Sequence, residues 1–237
     1  MLNKNTPKVV TLVPFKSSEP SRIVAWKAVR AWWRQNVAIP IFVGGSDPQA
    51  FNISSARNRA AKAAGDWDIA VILDADTLVS QQQIQKGITM ALNTGAVVYP
   101  YSERWELNKE GTQMFLDDPN SNWFRHASRH AYEHFGGCVI VTRELWDEVR
   151  GYDPGFITWG HEDGAFRIAC RVFGGKQERR VIGRLYHLEH TPSPVKNPAH
   201  PQFRKNRSRM MCYLEATKQP NARELLQKLR DEFSDIV

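Results

Sequence analysis

Ile69-Ala70-Val71-Ile72-Leu73-Asp74-Ala75-Asp76 is the stretch that decides the fold. An unbroken apolar run, rich in β-branched residues and too short for a buried helix, leads directly into two acids. Such a run predicts a strand covered on both faces, as in the centre of a parallel α/β sheet. Ligands of such sheets bind beyond the carboxyl ends of the strands, where Asp74 and Asp76 stand. Two carboxylates two residues apart on that turn can converge on one hard cation, Mn²⁺ or Mg²⁺, which takes oxygen ligands and shares them with phosphates. An aspartate after a strand is also ordinary turn chemistry.

Working outward, residues 9–13 form a β-branched run ending at Pro14, and Pro20 opens a helix with Ile23, Trp26, Val29 and Trp33 along one face. Residues 39–43 read as a strand closed by Gly44 and Gly45, and residues 54–64 as an Ala-rich helix stopped by Gly65. Ser80 and Gln83 have capping-box spacing and start a helix that runs to about Asn93, before Gly95; residues 96–99 are a further strand. Alternation of strand and helix predicts an α/β fold, a mainly parallel sheet flanked by helices. Residues 102–133 are polar and aromatic with no clear period. Order returns at residues 138–142, a strand, followed by helices over 143–150 and 163–173. Residues 192–201 are proline-rich and read as an extended linker, and residues 202–233 as basic helices interrupted at Pro220.

The chain has 237 residues, 42% of them hydrophobic and 24% charged, which excludes a disordered or fibrous protein. No run approaches the ~18 apolar residues of a membrane span, and no signal-like stretch opens the chain, so the expected setting is cytoplasmic. Three scattered cysteines argue against a disulfide framework or zinc knuckle. A net charge of +7 suits a protein that handles anions, although much of the excess lies between Arg204 and Arg230, where it also fits a solvated helix face.

Two further clusters carry chemistry. Trp159-Gly160-His161-Glu162-Asp163 puts adjacent carboxylates at a helix start, where the dipole favours anions. One can serve as general base and the other can hold a hydroxyl; simple capping is the plainer reading. His187 and His190 in Leu185-Tyr186-His187-Leu188-Glu189-His190 offer imidazoles, which Mn²⁺ accepts more readily than Mg²⁺. His126, His130 and His134, four apart, would share a helical face, but without the His-Glu-x-x-His arrangement of a zinc site.

Taken together, these segments resemble GT-A glycosyltransferases, the group shared by animal β-galactosyltransferases, polypeptide GalNAc transferases and bacterial chondroitin-type polymerases. Phe135-Gly136-Gly137, Gly151-Tyr152-Asp153 and Trp159-Gly160-His161-Glu162-Asp163 are similar to that family's signatures in order and spacing. Pro14-Phe15-Lys16, Phe51-Asn52, Ala56-Arg57-Asn58 and Asp74-Ala75-Asp76 match in the amino half. The resemblance implies a GT-A (nucleotide-diphospho-sugar transferase) fold and a metal-dependent transfer of sugar from a nucleotide-sugar, a UDP-hexose or UDP-N-acetylhexosamine, to an acceptor hydroxyl. It assigns Pro14, Phe15, Lys16, Arg22, Asp47, Asn52, Arg57, Asp74 and Ala75 to the nucleotide-sugar. Asp76, Asp74 and His187 would hold the metal. Trp159, Gly160, Gly137 and Glu162 would meet the donor or acceptor sugar, and Asp163 would be the base of an inverting displacement, with Glu162 beside it.

The implied catalytic domain covers residues 1–190, with a nucleotide-binding half at 9–100 and an acceptor half at 101–190. Residues 191–237 would be a linker and basic helices packed on the same domain. Two departures stand out: Gly164 replaces a further acid found in many relatives, and Lys16 replaces a commoner arginine. With no anchor, a bacterial or phage setting fits better than a Golgi one. The acceptor stays open among a glycan, a protein and a modified DNA base, so a nucleic acid partner is one candidate. Two rivals remain. A sugar-phosphate nucleotidyltransferase would carry a Gly-rich phosphate loop where Val13-Pro14-Phe15-Lys16 stands. A catalytically silent glycan- or nucleic-acid-binding relative would not need Asp76 or Asp163.

Overall fold

A computed structural model describes residues 6–16, 19–45, 51–130, 134–191 and 193–233. The chain forms β1 (Val9–Pro14), α1 (Pro20–Asn36), β2 (Ile41–Gly44), α2 (Ile53–Ala64), β3 (Ile69–Leu73), β4 (Thr77–Val79), α3 (Gln81–Thr94), β5 (Val98–Tyr99), β6 (Glu103–Leu107) and α4 (Lys109–Asp117). A 3-10 turn, Trp123–His126, leads to β7 (Ala127–Arg129), β8 (Cys138–Thr142), α5 (Arg143–Val149), α6 (Glu162–Gly174), β9 (Arg179–Arg180) and β10 (Arg184–His187). A second 3-10 turn, Pro194–Lys196, precedes α7 (Pro201–Ala216) and α8 (Ala222–Asp231).

Local chemistry sets most of these boundaries. Pro20 opens α1, which lays Ala25, Trp26, Val29 and Trp33 on the sheet. Asn52 caps α2 by accepting from the Ser55 amide, and Ser80 caps α3 by accepting from Gln83. Gly95 closes α3 in the left-handed region, at φ 64°.

The large sheet has the order β2-β1-β3-β8-β5-β9. β1 pairs in parallel with β2 and β3, and β5 with β9, while β8 runs antiparallel between β3 and β5. The sheet is therefore mixed, with β8 alone running against the other strands, and β3 at its centre is buried throughout. A second sheet, β4-β10-β6-β7, was not expected: residues 102–130 hold β6, α4 and β7. β6 exists because β10 pairs along it in parallel, a contact with no local signature.

The C-terminal helices are built into the domain. Tyr213 is buried and donates to Asp153 Oδ2 at 2.7 Å, and Arg209 Nε reaches the same oxygen at 2.8 Å. Arg230, also buried, donates to the carbonyls of Val149 and Gly151, each at 2.6 Å. Arg204, Lys205 and Arg207 stay on the exposed face of α7. Among the described residues no helix is long and apolar enough to cross a membrane.

Candidate active site

The acids gather at the carboxyl ends of the parallel strands. Asp74 follows β3, and its amide donates to the Gly137 carbonyl at 2.8 Å, tying that turn to the chain entering β8. Gly137 has φ 87°, and a Cβ there would press on Leu185 Cδ1 at 2.9 Å, so glycine is required on both counts.

Asp76 belongs to a cluster with two histidines. Its Oδ2 lies 3.0 Å from His190 Nε2, and its Oδ1 lies 3.6 Å from His187 Nε2. One ligand atom from each of Asp76, His187 and His190 falls within 4.8 Å of the others. Pairing places them: His187 stands opposite Thr77 in the β10–β4 ladder, and the Leu188 amide donates to the Asp76 carbonyl at 2.9 Å. His187 also lies opposite Glu106 in the β10–β6 ladder, and Glu106 Oε2 is 2.7 Å from His187 Nδ1. His190 Nδ1 is 2.9 Å from the Thr191 carbonyl.

Both Nδ1 atoms face acceptors, and both Nε2 atoms face Asp76. Two imidazole nitrogens and a carboxylate, with a carboxylate behind one imidazole, form a donor set suited to a divalent transition ion. Burial alone would raise the Asp76 carboxyl. The charges of His187, Arg22 and His190, with the His190 hydrogen bond, together hold it well below the ordinary range. Burial likewise opposes ionisation of Glu106, yet His187 and Arg104 bring it down to about 2.

Asp74 and Asp163 meet on a different cation. Arg57 on α2 is buried, with its side chain 1% exposed; it donates to Asp74 Oδ1 and to Asp163 Oδ1, each at 2.8 Å. Its guanidinium lies over the Tyr152 ring at 4.4 Å, and that ring stacks on Phe166 at 4.0 Å. Across the turn at residues 75–76, Asp74 faces Arg57 and Asp76 faces the histidines.

Glu162 and Asp163 open α6. Glu162 is buried, and its Oε2 accepts from the Gly160 amide at 2.8 Å. Burial, then the Asp163 charge, pushes its carboxyl up to about 8. Burial also raises Asp163, with Arg57 pulling the other way. Arg57 bonds Asp163 and not Glu162, which favours the charged form of Asp163 over that of Glu162. Gly136 makes room: a Cβ there would overlap the Asp163 carboxylate. The Trp159 ring lies near-parallel to Phe203 of α7, centroids 6.4 Å apart, with Lys196 Nζ 5.2 Å over its face.

The other expected contacts are distributed as follows. Arg22 reaches Asp76 Oδ2 at 3.4 Å, Ala75 is buried beside it, and Phe15, next to Pro14 at the end of β1, packs its ring on Trp26. Lys16 follows, half-buried. The Asn52 amide is committed to the fold, capping α2 with its oxygen and donating to the Pro154 carbonyl at 2.7 Å. Asp47 lies outside the described residues. His126, His130 and His134 do not share a helical face: His126 pairs with Glu110, and His130 Nδ1 meets His134 Nε2 at 2.9 Å. His190, Glu106, Lys196 and Phe203 join the site through pairings distant in sequence. Of these only His190 had a sequence signal, an imidazole three residues beyond His187.

Residues 123–191 match the family described as the N-terminal domain of galactosyltransferase. A 75-residue stretch is 32% identical to polypeptide N-acetylgalactosaminyltransferase 10 of human, mouse and rat; it covers 32% of this chain and 12% of the length of those enzymes. The catalytic domain of Drosophila β1,4-galactosyltransferase 7, solved with xylobiose, superposes with a TM-score of 0.57 at 18% identity, covering 85% of this chain and 80% of that one. Glucosyl-3-phosphoglycerate synthase of Mycobacterium tuberculosis aligns at a TM-score of 0.48 and 12% identity, over 88% of this chain and 79% of that one. The likeness to the Drosophila enzyme shows a GT-A fold, and residues 123–191 are similar to the galactosyltransferase domain.

Proposed function

We propose that the protein is a metal-dependent glycosyltransferase that moves a sugar from a UDP-sugar to an acceptor hydroxyl. One observation carries the reading. On a GT-A fold, a two-histidine, one-carboxylate cluster and the Glu162–Asp163 pair, bridged to Asp74 by Arg57, stand at the same edge of the sheet. Asp76, His187 and His190 would hold the cation, and their nitrogen-rich donor set favours Mn²⁺ over Mg²⁺. When bound, the cation would offset the charge of the departing diphosphate.

The chain's own groups do the rest. Asp163, kept ionised by Arg57, takes the proton of the acceptor hydroxyl as its oxygen attacks the anomeric carbon and the nucleoside diphosphate leaves from the opposite face. That geometry inverts configuration. Glu162, protonated, donates a hydrogen bond to a sugar hydroxyl, and Trp159 offers a ring face for the sugar. Arg22 and Lys196 add positive charge around Asp76 and Trp159, where an anionic donor would lie. Nucleotide contacts fall to the end of β1, at Pro14, Phe15 and Lys16.

The test is release of UDP from a panel of UDP-sugars with and without Mn²⁺, followed by an acceptor screen and the anomeric configuration of the product by NMR. Asp76→Asn is expected to lose Mn²⁺-dependent turnover. Asp163→Asn should bind UDP normally but lose transfer by about 10²-fold, the scale of a removed general base. Full turnover in excess chelator contradicts the metal assignment, and wild-type transfer by Asp163→Asn contradicts the base.

A further inference from the structure

The backbone that carries Trp159 and Gly160 is strained. Thr158, Gly160 and His161 have φ of 64°, 109° and 73°. Positive φ is costly for a β-branched threonine, and such strain persists only where the surroundings enforce it. Part of the enforcement comes from α2, where Asn52 forms an isolated parallel bridge to Thr158 and donates to Pro154. The rest comes from α7, which lies outside the segment that matches the galactosyltransferase family.

Asn206 on α7 is buried at 1% exposure, and its Nδ2 donates to the Ile157 carbonyl at 2.9 Å and to the Trp159 carbonyl at 3.1 Å. Its oxygen accepts from Gln202 Nε2 at 2.9 Å, so the amide is held in one orientation and both of its N–H groups are engaged. The Trp159 carbonyl and the Gly160 amide belong to one rigid peptide plane. Asn206 grips its oxygen end, and Glu162 Oε2 accepts from its N–H end at 2.8 Å. Phe203, one helix position before Arg204, covers the Trp159 and His161 rings.

We propose that Asn206 is a positioning residue for Glu162: by fixing the Trp159–Gly160 peptide it aims the Gly160 amide at the Glu162 carboxyl and holds the Trp159 ring in place. Without it, two part-buried carbonyls lose this donor, and the peptide is free to rotate at Gly160, the residue least opposed to a change of φ and ψ. The catalytic part of this assignment rests on the glycosyltransferase reading; the structural part does not.

The experiment uses the full chain and Asn206→Ala, with Gln202→Ala as a milder variant that keeps Asn206 but removes the group fixing its orientation. Amide hydrogen exchange across residues 155–163 is measured without ligand, UDP affinity by calorimetry with Mn²⁺, and UDP-sugar hydrolysis by UDP release. In Asn206→Ala, exchange at the Gly160 amide should rise about tenfold or more. Hydrolysis should fall about tenfold in kcat, and UDP affinity should stay within about twofold, because the nucleotide contacts proposed above fall at the end of β1. Gln202→Ala should move the same readouts the same way by less. Unchanged exchange at Gly160 in Asn206→Ala overturns the proposal, as does a loss of UDP affinity with kcat preserved. A wild-type protein that hydrolyses no UDP-sugar defeats the glycosyltransferase reading, while exchange at Gly160 still decides whether Asn206 fixes the peptide.

Discussion

Replacing Arg57 with methionine tests the electrostatic centre of the site. Arg57 is the one cation bonded to both Asp74 and Asp163 among the described residues, at 2.8 Å to each, and Glu162 lies beside them. Methionine fills much of the volume but leaves the carboxylates facing one another. Breaking a buried ion pair by removing one partner costs about 3–5 kcal/mol. Here the lower end applies, because the Asp74 and Asp163 side chains keep 27% and 25% exposure and water can reach them. A loss of about 3 kcal/mol corresponds to a fall in Tm of about 6–12 °C for a domain of this size. The deficit also depends on pH. Without the cation, the Asp163 carboxyl, which burial already raises, rises further, so its destabilisation is absent at low pH and grows as pH rises through the folded value. Thermal melts of wild type and Arg57→Met at pH 5 and pH 8 should therefore diverge more at pH 8. Arg57→Lys keeps one charge but cannot span both carboxylates, and should fall between the two. Equal melting of Arg57→Met and wild type at both pH values would refute the assignment of Arg57 as the bridging cation.

Other outcomes follow from the same geometry. Burial and the neighbouring Asp163 raise Glu162 to about 8, with Arg57 opposing and Asp74 adding, so the protonated form prevails below that value; UDP-sugar hydrolysis should decline as pH rises through about 8. Glu162→Gln, a fixed mimic of the protonated acid, should retain activity and lose that alkaline limb in a pH–rate profile. Glu106→Gln should weaken Mn²⁺ binding by about 10–100-fold in calorimetry, as expected when the group orienting a histidine ligand is removed; unchanged affinity would mean His187 is not held for a metal. Arg209→Gln strips the guanidinium from the buried Asp153 carboxylate and should cost about 3 kcal/mol in urea denaturation, whereas Arg204→Gln on the exposed face should stay within about 0.5 kcal/mol.

Sequence pattern revealed the parts of this fold whose causes are local. Ile69–Leu73 reads as a covered strand from its own composition, the Ser80–Gln83 pair marks the start of α3, and Gly65 and Gly95 mark helix ends, because caps and breakers act within a few residues. Direction and pairing are not local. Cys138–Thr142 is plainly a strand, yet an apolar run says nothing about which way it is laid, so its antiparallel insertion between β3 and β5 was out of reach. Glu103–Leu107 carries alternating charge and no buried face of its own until β10 lies against it; Glu106 was hidden for the same reason. The four basic residues of α7 look alike in sequence, and only the fold separates the buried Arg209 bridge from three solvated side chains.

Residues two apart on a strand share a face, so Asp74 and Asp76 would point the same way if β3 continued through them. It does not: the chain turns at residues 75–76, and the Thr77 amide and hydroxyl close back on the Asp74 carbonyl at 3.3 and 3.1 Å. The turn divides the pair between two electrostatic problems. Asp76 faces two imidazoles, and against its burial their charges and that of Arg22 hold its carboxyl well below the ordinary range. Asp74 is tied through Arg57 to Asp163, so the same guanidinium that steadies the strand end also opposes the rise that burial gives the carboxyl at the start of α6. Two neighbouring acids in one low-dielectric pocket cannot both ionise cheaply, and a cation bonded to only one of them decides which does. The short span between the acids therefore sets the histidine cluster and the Arg57-bonded carboxylates at adjacent points of a single strand end.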